Sequence, residues 1–116
     1  MARQPNPDFM AGVPELMILR LLQDREMYGY QIVQAIRTET GDVVSLGEGI
    51  VYTVLHALER EDALKSRRKT VDGRSRIYYT VTANGLRRYR DLANTWATLA
   101  GAIQSVMRGS GHAPAV

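Results

Sequence analysis

The side chains best suited to bind another molecule lie in one stretch, residues 49–76. At helical spacing, residues 49–60 put apolar side chains on one face and leave Gly49, Thr53, His56 and Arg60 on the other. Cationic side chains follow directly, around a predicted turn at Val71-Asp72-Gly73: Lys65, Arg67, Arg68, Lys69, Arg74 and Arg76. A helix with an open polar face can enter a nucleic-acid groove, and neighbouring cations can bind phosphates. The spacing therefore favours DNA binding.

Catalytic and metal-binding chemistry has few candidate residues in the sequence. His56 and His112 are the only histidines and lie far apart, and the chain has no cysteine. It also has no paired-histidine spacing for a metal and no glycine-rich phosphate loop after a strand. We therefore expect no enzyme activity, no cofactor and no metal.

The positive charge is concentrated in one part of the chain. The net charge is only +3, but residues 1–59 hold 4 basic and 8 acidic side chains, whereas residues 60–90 hold 10 and 3. A run of cations is by itself compatible with an ordinary solvated surface. Its position beside the open helix face favours a nucleic-acid partner instead.

Length and composition predict one small domain. At 116 residues the chain buries a core of marginal size, so a second subunit is the expected source of further buried surface. The lack of cysteine excludes a disulfide framework, and no apolar run is long enough for a signal peptide or a membrane span. We expect a cytoplasmic protein that does not engage a membrane.

The elements that position the candidate residues can be predicted in chain order. Residues 1–12 contain prolines and no periodicity, and are expected to form a flexible N-terminal arm. A winged-helix DNA-binding domain is predicted over residues 13–82, with an apolar helix beginning at Pro14 and a second helix beginning near Tyr28-Gly29. The third helix carries the open face, so the second and third helices form a helix-turn-helix.

A β-hairpin, the wing, is predicted after the third helix. In its second strand, Ile77 and Tyr79 alternate with Arg76 and Tyr78, as in a strand with one buried face. That alternation puts Tyr78 on the exposed face. The preceding segment is less regular and more cationic, as expected of an exposed strand.

The last helix, residues 83–108, is predicted to form a dimer. Thr82 is placed to cap its first turn, and Gly85 permits close packing on the wing. Its apolar residues recur at alternating steps of three and four, which indicates a heptad seam: Leu86, Tyr89, Ala93, Trp96, Ala100, Ile103 and Met107, widened by Leu92, Leu99 and Val106. The alternative is that the helix folds back on its own domain. Residues 109–116 are expected to be a flexible tail.

Four blocks of the sequence resemble, in order, those of PadR-type transcriptional regulators: Gly29-Tyr30-Gln31-Ile32, Gly49-Ile50-Val51-Tyr52, Leu55-His56-Ala57-Leu58-Glu59-Arg60 and the residues from Arg76 to Gly85. The resemblance implies a mainly α fold with a small β-hairpin. This is a winged helix-turn-helix domain followed by a single C-terminal dimerisation helix, as in the smaller PadR members. It also implies a bacterial repressor. Two positions depart from the family pattern: Thr53 replaces a frequent Pro, and Asp62 replaces a common Gly.

The DNA-binding residues are assigned by side-chain type. The residues expected to read base edges are Gly49, Ile50, Thr53, His56 and Arg60. Arginines suited to the minor groove are Arg74 and Arg76, and cations suited to phosphates are Lys65, Arg67, Arg68 and Lys69. Helix-start amides that are candidates for another phosphate belong to Tyr28 and Gly29.

Tyr52 and His56 each have an alternative role. Tyr52 lies between the buried and open faces, so it either sends its hydroxyl to a phosphate or is a core aromatic residue with an exposed tip. His56 is either a base contact or a plain surface residue, and its position opposite the apolar face favours the contact.

Trp96, the only tryptophan, lies mid-seam among small residues. It is either a structural anchor packed against its symmetry mate or part of a ligand site. In the second case, a planar aromatic effector stacks between two Trp96 rings at the dimer axis, with Leu92, Leu99 and Ile103 as apolar walls. A closed coiled coil without any cavity is a further possibility.

The sequence as a whole predicts a homodimeric DNA-binding regulator, a repressor of the PadR type released by a small aromatic ligand. Its partner would be double-stranded operator DNA. The alternative is a winged-helix protein-interaction module whose basic wing binds an acidic protein surface without specific DNA readout. The two differ in their affinity for duplex DNA at physiological salt.

Overall fold

The computed structural model describes residues 12–109. Apart from Gly12 and Gly109, the predicted N-terminal arm and C-terminal tail lie outside the described residues. The elements are α1 (Val13–Leu21), β1 (Met27–Tyr28), α2 (Gly29–Glu39), α3 (Glu48–Arg60), β2 (Leu64–Val71), β3 (Arg74–Val81) and α4 (Ala83–Arg108). This order confirms the predicted winged helix with a C-terminal helix.

The core lies where α1, α2 and α3 meet the inner face of the sheet. Each element contributes an apolar stripe that cannot remain in water, and burial of these stripes fixes how the helices pack. The largest fully buried side chains are Ile18, Leu19, Ile32, Ile36, Val51, Leu55, Leu58 and Leu64. Burial of one face of α3 leaves its other face exposed.

The sheet has three strands in the order β1-β3-β2, one more than the predicted hairpin. β1 is antiparallel to β3, with Met27 opposite Tyr79 and Tyr28 opposite Tyr78. The sequence prediction missed β1 because a strand of two residues has no period to detect.

Tyr78 is buried, contrary to the prediction of an exposed side chain. It lies on the outer face of the sheet as the alternation requires, yet only 6% of it is exposed. The Tyr28 ring from β1 packs edge-on against it, with centroids 5.3 Å apart, and the Lys69 ammonium lies 4.7 Å from its centroid. Because β1 brings Tyr28 onto the outer face of the sheet, that face forms a second, smaller packed layer instead of facing solvent.

The wing turn and the end of α3 both use left-handed backbone. Asp72 and Gly73, with φ of 53° and 77°, have the positive values of a type I′ turn, which matches the twist of the hairpin. Asp62 has φ of 63° at the position where the resemblance leads one to expect Gly. Aspartate tolerates this conformation better than most residues, so the chain turns from α3 into β2 despite the substitution.

The start of α4 is fastened to the end of α3. Thr82 Oγ1 accepts a hydrogen bond from the Gly85 amide at 3.0 Å, which confirms the predicted cap, and donates to the Asp62 carbonyl at 2.7 Å. Asn84 Nδ2 donates to the Glu61 carbonyl at 3.1 Å. A Cβ on Gly85 would lie 2.2 Å from the Ala63 carbonyl oxygen. The close packing predicted for Gly85 is therefore present, and hydrogen bonds join the start of α4 to the end of α3.

The two halves of α4 have different surroundings. Tyr89 and Leu92 pack against the core of their own domain. Beyond them the large apolar side chains of the helix are half or more exposed: Trp96 51%, Leu99 53%, Ile103 47%, Val106 81% and Met107 79%. With 26 residues, α4 is about 39 Å long, longer than the rest of the domain can cover.

Candidate nucleic-acid interface

The open face of α3 is available to a large ligand. Gly49 has no heavy atom near the place of a Cβ, Ile50 is 51% exposed, and Thr53, His56 and Arg60 are exposed. The Thr53 hydroxyl donates to the Gly49 carbonyl oxygen at 2.8 Å, so it reaches a base only after rotating away from the helix backbone. The exposed His56 makes no such bond to the helix backbone, so it is better placed than Thr53 for a base contact.

Tyr52 packs against the first turn of α2. A Cβ on Gly29 would lie 2.4 Å from Tyr52 Cζ and 2.5 Å from its hydroxyl oxygen, so the ring occupies the space that a side chain would need. The ring centroid of His56 lies 6.1 Å from that of Tyr52. Of the two roles predicted for Tyr52, the structure shows the packing contact, and the phosphate contact stays a prediction.

A cleft of about 500 Å³ separates α3 from the wing. Among the residues that line it are Tyr30, Tyr52, His56, Arg68, Ser75 and Arg76. Arg68 Nη1 donates to Ser75 Oγ at 3.1 Å across the hairpin, which holds this guanidinium near the wing tip. The cleft brings two cations of the wing, Arg68 and Arg76, to the same side as His56.

The predicted wing cations do not form one patch, because the strand register distributes them between two faces. Arg67 is opposite Tyr78 and Lys69 is opposite Arg76, so these side chains share the outer face with Tyr28, whereas Arg68 lies on the inner face. The Arg76 guanidinium stacks on the Tyr28 ring at 4.3 Å. Such cation–π contacts fix the outer cations in place.

Glu26 lies among the outer cations and was absent from the predicted site. Its carboxylate accepts three hydrogen bonds from Arg67, from Nε and Nη2 to Oε1, both at 3.2 Å, and from Nη2 to Oε2 at 3.0 Å. It accepts another from Lys69. The hydrogen bonds from Lys69 and Arg67 hold the pKa of Glu26 below its ordinary value. More than 40 residues separate the partners in sequence, so no local pattern predicts this contact.

Five predicted DNA-binding cations have no ion pair. Within residues 12–109 these are Arg60, Lys65, Arg68, Arg74 and Arg76. Arg60, Lys65 and Arg74 are also exposed, and Arg74 begins β3 directly after the wing turn, at the tip. Cations without an acidic partner can contact phosphates beside a helix that reads bases.

The start of α2 is a weaker phosphate site than predicted. The Tyr28 amide donates to Gln31 Oε1 at 3.2 Å, so a phosphate can use this amide only by displacing Gln31. This capping bond satisfies a helix-start amide that would otherwise need an outside acceptor.

No three acidic or histidine side chains among residues 12–109 come close enough together to hold a metal ion. No helix in that range combines the length and apolarity needed to cross a membrane.

The chain is similar in sequence and fold to known proteins. Residues 18–91 match the transcriptional regulator PadR-like family. The chain belongs to the PadR-like family. Transcriptional regulator Rv3488 of Mycobacterium tuberculosis is 35% identical over 78 residues, covering 67% of this chain and 70% of that protein. An uncharacterized protein of Lysinibacillus sphaericus is 31% identical over 103 residues, covering 88% and 94%.

One solved structure superimposes closely on this chain. The structure of a transcriptional regulator from Clostridium thermocellum matches with a TM-score of 0.80 and 27% identity, covering 87% of this chain and 96% of that one. The family and its solved members are transcriptional regulators, which confirms that this PadR-like protein is not an enzyme.

Proposed function

We propose that this PadR-like protein is a homodimeric repressor that reads a two-fold symmetric DNA operator with α3 and the wing. The observation that carries the proposal is the exposed α3 face, where His56 lines one cleft with the wing cations Arg68 and Arg76. Polar side chains on a helix read base edges in the major groove, and cations at the wing hold the backbone.

Dimerisation is supported by the second half of α4. Five large apolar side chains are exposed there, from Trp96 to Met107, and they follow the heptad seam of the sequence. A contiguous apolar surface of this kind is a binding site for another protein surface, and a second copy offers the same seam. Two α3 helices would then enter successive major grooves about 34 Å apart.

A small aromatic effector is the second element of the proposal. Trp96 lines two apolar clefts, one of about 310 Å³ between α1, α2 and α4 and one of about 220 Å³ between α1 and α4. Space on both sides of an exposed indole suits a planar ligand, whether it stacks between the Trp96 rings of a dimer or beside one ring. Such a ligand releases DNA only if it binds the DNA-free arrangement more tightly.

The deciding experiment selects genomic DNA fragments with the full-length purified protein and measures affinity for the enriched fragment and for random duplex DNA at physiological salt. A repressor binds the enriched fragment at least about a thousandfold more tightly. Weak, sequence-blind binding would instead support the alternative, a winged-helix module for an acidic protein. A reporter gene placed behind the enriched fragment then distinguishes repression from activation.

A further inference from the structure

The Glu26 carboxylate binds two cations that were expected to bind DNA. Glu26 lies in the connection between α1 and β1, whereas Arg67 and Lys69 belong to β2. The carboxylate is mostly covered, with 21% of its side chain exposed, while the side chains of Arg67 and Lys69 are 64% and 34% exposed. One acidic group thus occupies two cations at the surface of the wing.

The contact of Glu26 with Arg67 and Lys69 has the geometry of an ordered ion network, not of an isolated surface ion pair. Isolated surface ion pairs contribute little, but a bidentate arginine and a network of several charges are the exceptions. Arg67 gives Glu26 a parallel pair of bonds, and Lys69 is held from its other side by the Tyr78 ring. The three charges therefore form an ordered network on the outer face of the sheet.

A carboxylate and a DNA phosphate compete for the same donors, because both present paired anionic oxygens to a guanidinium or an ammonium. We infer that Glu26 is an intramolecular competitor of DNA phosphate, which occupies Arg67 and Lys69 and thereby limits sequence-independent DNA binding. The inference rests on the proposed DNA-binding function. When fewer cations contact phosphates, the base contacts of α3 contribute a larger share of the total affinity for DNA.

The test measures the salt dependence of binding to random duplex DNA by the full-length protein and its Glu26→Gln variant. Glutamine keeps an acceptor for Arg67 but removes the charge, so both cations become available to phosphates. Each added phosphate contact steepens the slope of log affinity against log salt by about 0.9, so two cations steepen it by up to about 1.8. Affinity for random DNA at low salt rises several-fold.

The matched control is Asp24→Asn, which also removes one negative charge. Asp24 lies two residues from Glu26 but pairs with Arg20 on α1, which is not a wing cation. It should leave the salt slope unchanged, since the net-charge change alone releases no phosphate ligand. An equal effect of both variants would show that only long-range charge matters, and would overturn the inference.

A double-mutant cycle tests the contact itself. Arg67→Gln should change DNA affinity little in the parent protein, where Glu26 already holds Arg67, and should weaken binding clearly in the Glu26→Gln background. Equal losses in the two backgrounds would overturn the competition between Glu26 and phosphate.

The remaining outcomes separate this inference from the proposed function. A parent protein that binds duplex DNA while Glu26→Gln has the same slope, or a weaker affinity, contradicts only the inference. A weaker affinity would assign Glu26 to positioning the wing. A parent protein that binds no duplex DNA contradicts the proposed function and the inference together.

Discussion

The ring of Tyr52 fills the position that a side chain on Gly29 would occupy, with a Cβ there lying 2.4 Å from Tyr52 Cζ. Non-bonded carbon atoms do not pack this closely, so the Tyr52 ring can hold its observed position only because residue 29 is glycine. The His56 ring centroid lies 6.1 Å from that of Tyr52, on the open face. The position of the Tyr52 ring, and with it the shape of the candidate DNA surface, thus depends on glycine at residue 29.

Gly29→Ala should destabilise the fold. The added methyl group forces Tyr52 or the helix backbone to move, and overpacking of this kind costs about 1–3 kcal/mol of unfolding free energy. Urea unfolding of the full-length protein measures the change. Gly49→Ala is the control, because open space surrounds its Cβ position and alanine favours the helix by up to about 1 kcal/mol. If both variants were equally stable, the close packing at Gly29 would be absent in solution.

His56→Ala should reduce sequence preference more than total affinity. A good base contact discriminates by about 1–3 kcal/mol, so operator affinity should fall while affinity for random DNA stays nearly constant. Lys65→Ala should weaken both kinds of DNA alike and reduce the salt slope by about 1. Competition binding with operator and random duplexes makes both measurements. Equal losses on both DNAs for His56→Ala would contradict the assignment of α3 as the reading helix.

Ile103→Glu should separate the proposed dimer. It puts a charge in the exposed apolar face of α4, where burial against a second copy would require desolvation of the carboxylate. Ser105→Glu, on the opposite side of the same helix, has the same charge and should remain dimeric. Analytical ultracentrifugation at micromolar concentration measures both. A parent protein that sediments as a monomer would remove the basis for a two-fold operator.

Planar aromatic dyes should quench the fluorescence of Trp96, the sole indole of the chain. Stacking on an exposed ring with clefts on both sides changes its emission at micromolar dye concentrations. Trp96→Ala should still bind DNA but lose dye affinity, measured by equilibrium dialysis. Unchanged emission across a panel of dyes, or dye binding by the variant equal to the parent's, would leave Trp96 with a structural role only.

The ion network of Glu26 should make the stability of the fold depend on pH. Because the folded protein lowers the pKa of Glu26, the stabilisation is fully present above the ordinary carboxyl value of about 4.3 and is lost as pH falls through the lowered pKa. Thermal unfolding of the parent and Glu26→Gln between about pH 2 and pH 7 should show a stability difference that disappears at the acid end. A difference that is constant over this range would contradict the network.

The helices were predictable because each has a long apolar stripe with local end signals. The predicted last helix, residues 83–108, coincides with α4, since Thr82 supplies a cap and the seam continues without interruption. The wing was likewise predictable from alternation and from Asp72-Gly73.

The sequence does not predict which wing cations are paired with an acidic side chain. Whether Arg67 points to solvent or to Glu26 depends on a two-residue strand, β1, that joins the sheet through residues about 50 positions later. Composition counts Arg67, Lys69 and Arg74 as equal positive charges, whereas the fold leaves only Arg74 unpaired among these three. Charge availability is a tertiary property and has no signature in local spacing.

The bonds from Thr82 and Asn84 to the end of α3 would restrict which operators the proposed dimer binds. In a dimer built on α4, these bonds would fix the angle of each reading helix to the dimer axis, so that neither helix could follow a displaced half-site alone. One extra base pair between half-sites rotates one of them by about 35° around the DNA axis, given about 10–10.5 base pairs per turn. Evolution of a new operator length would therefore require substitutions where the two α4 helices cross, far from any base.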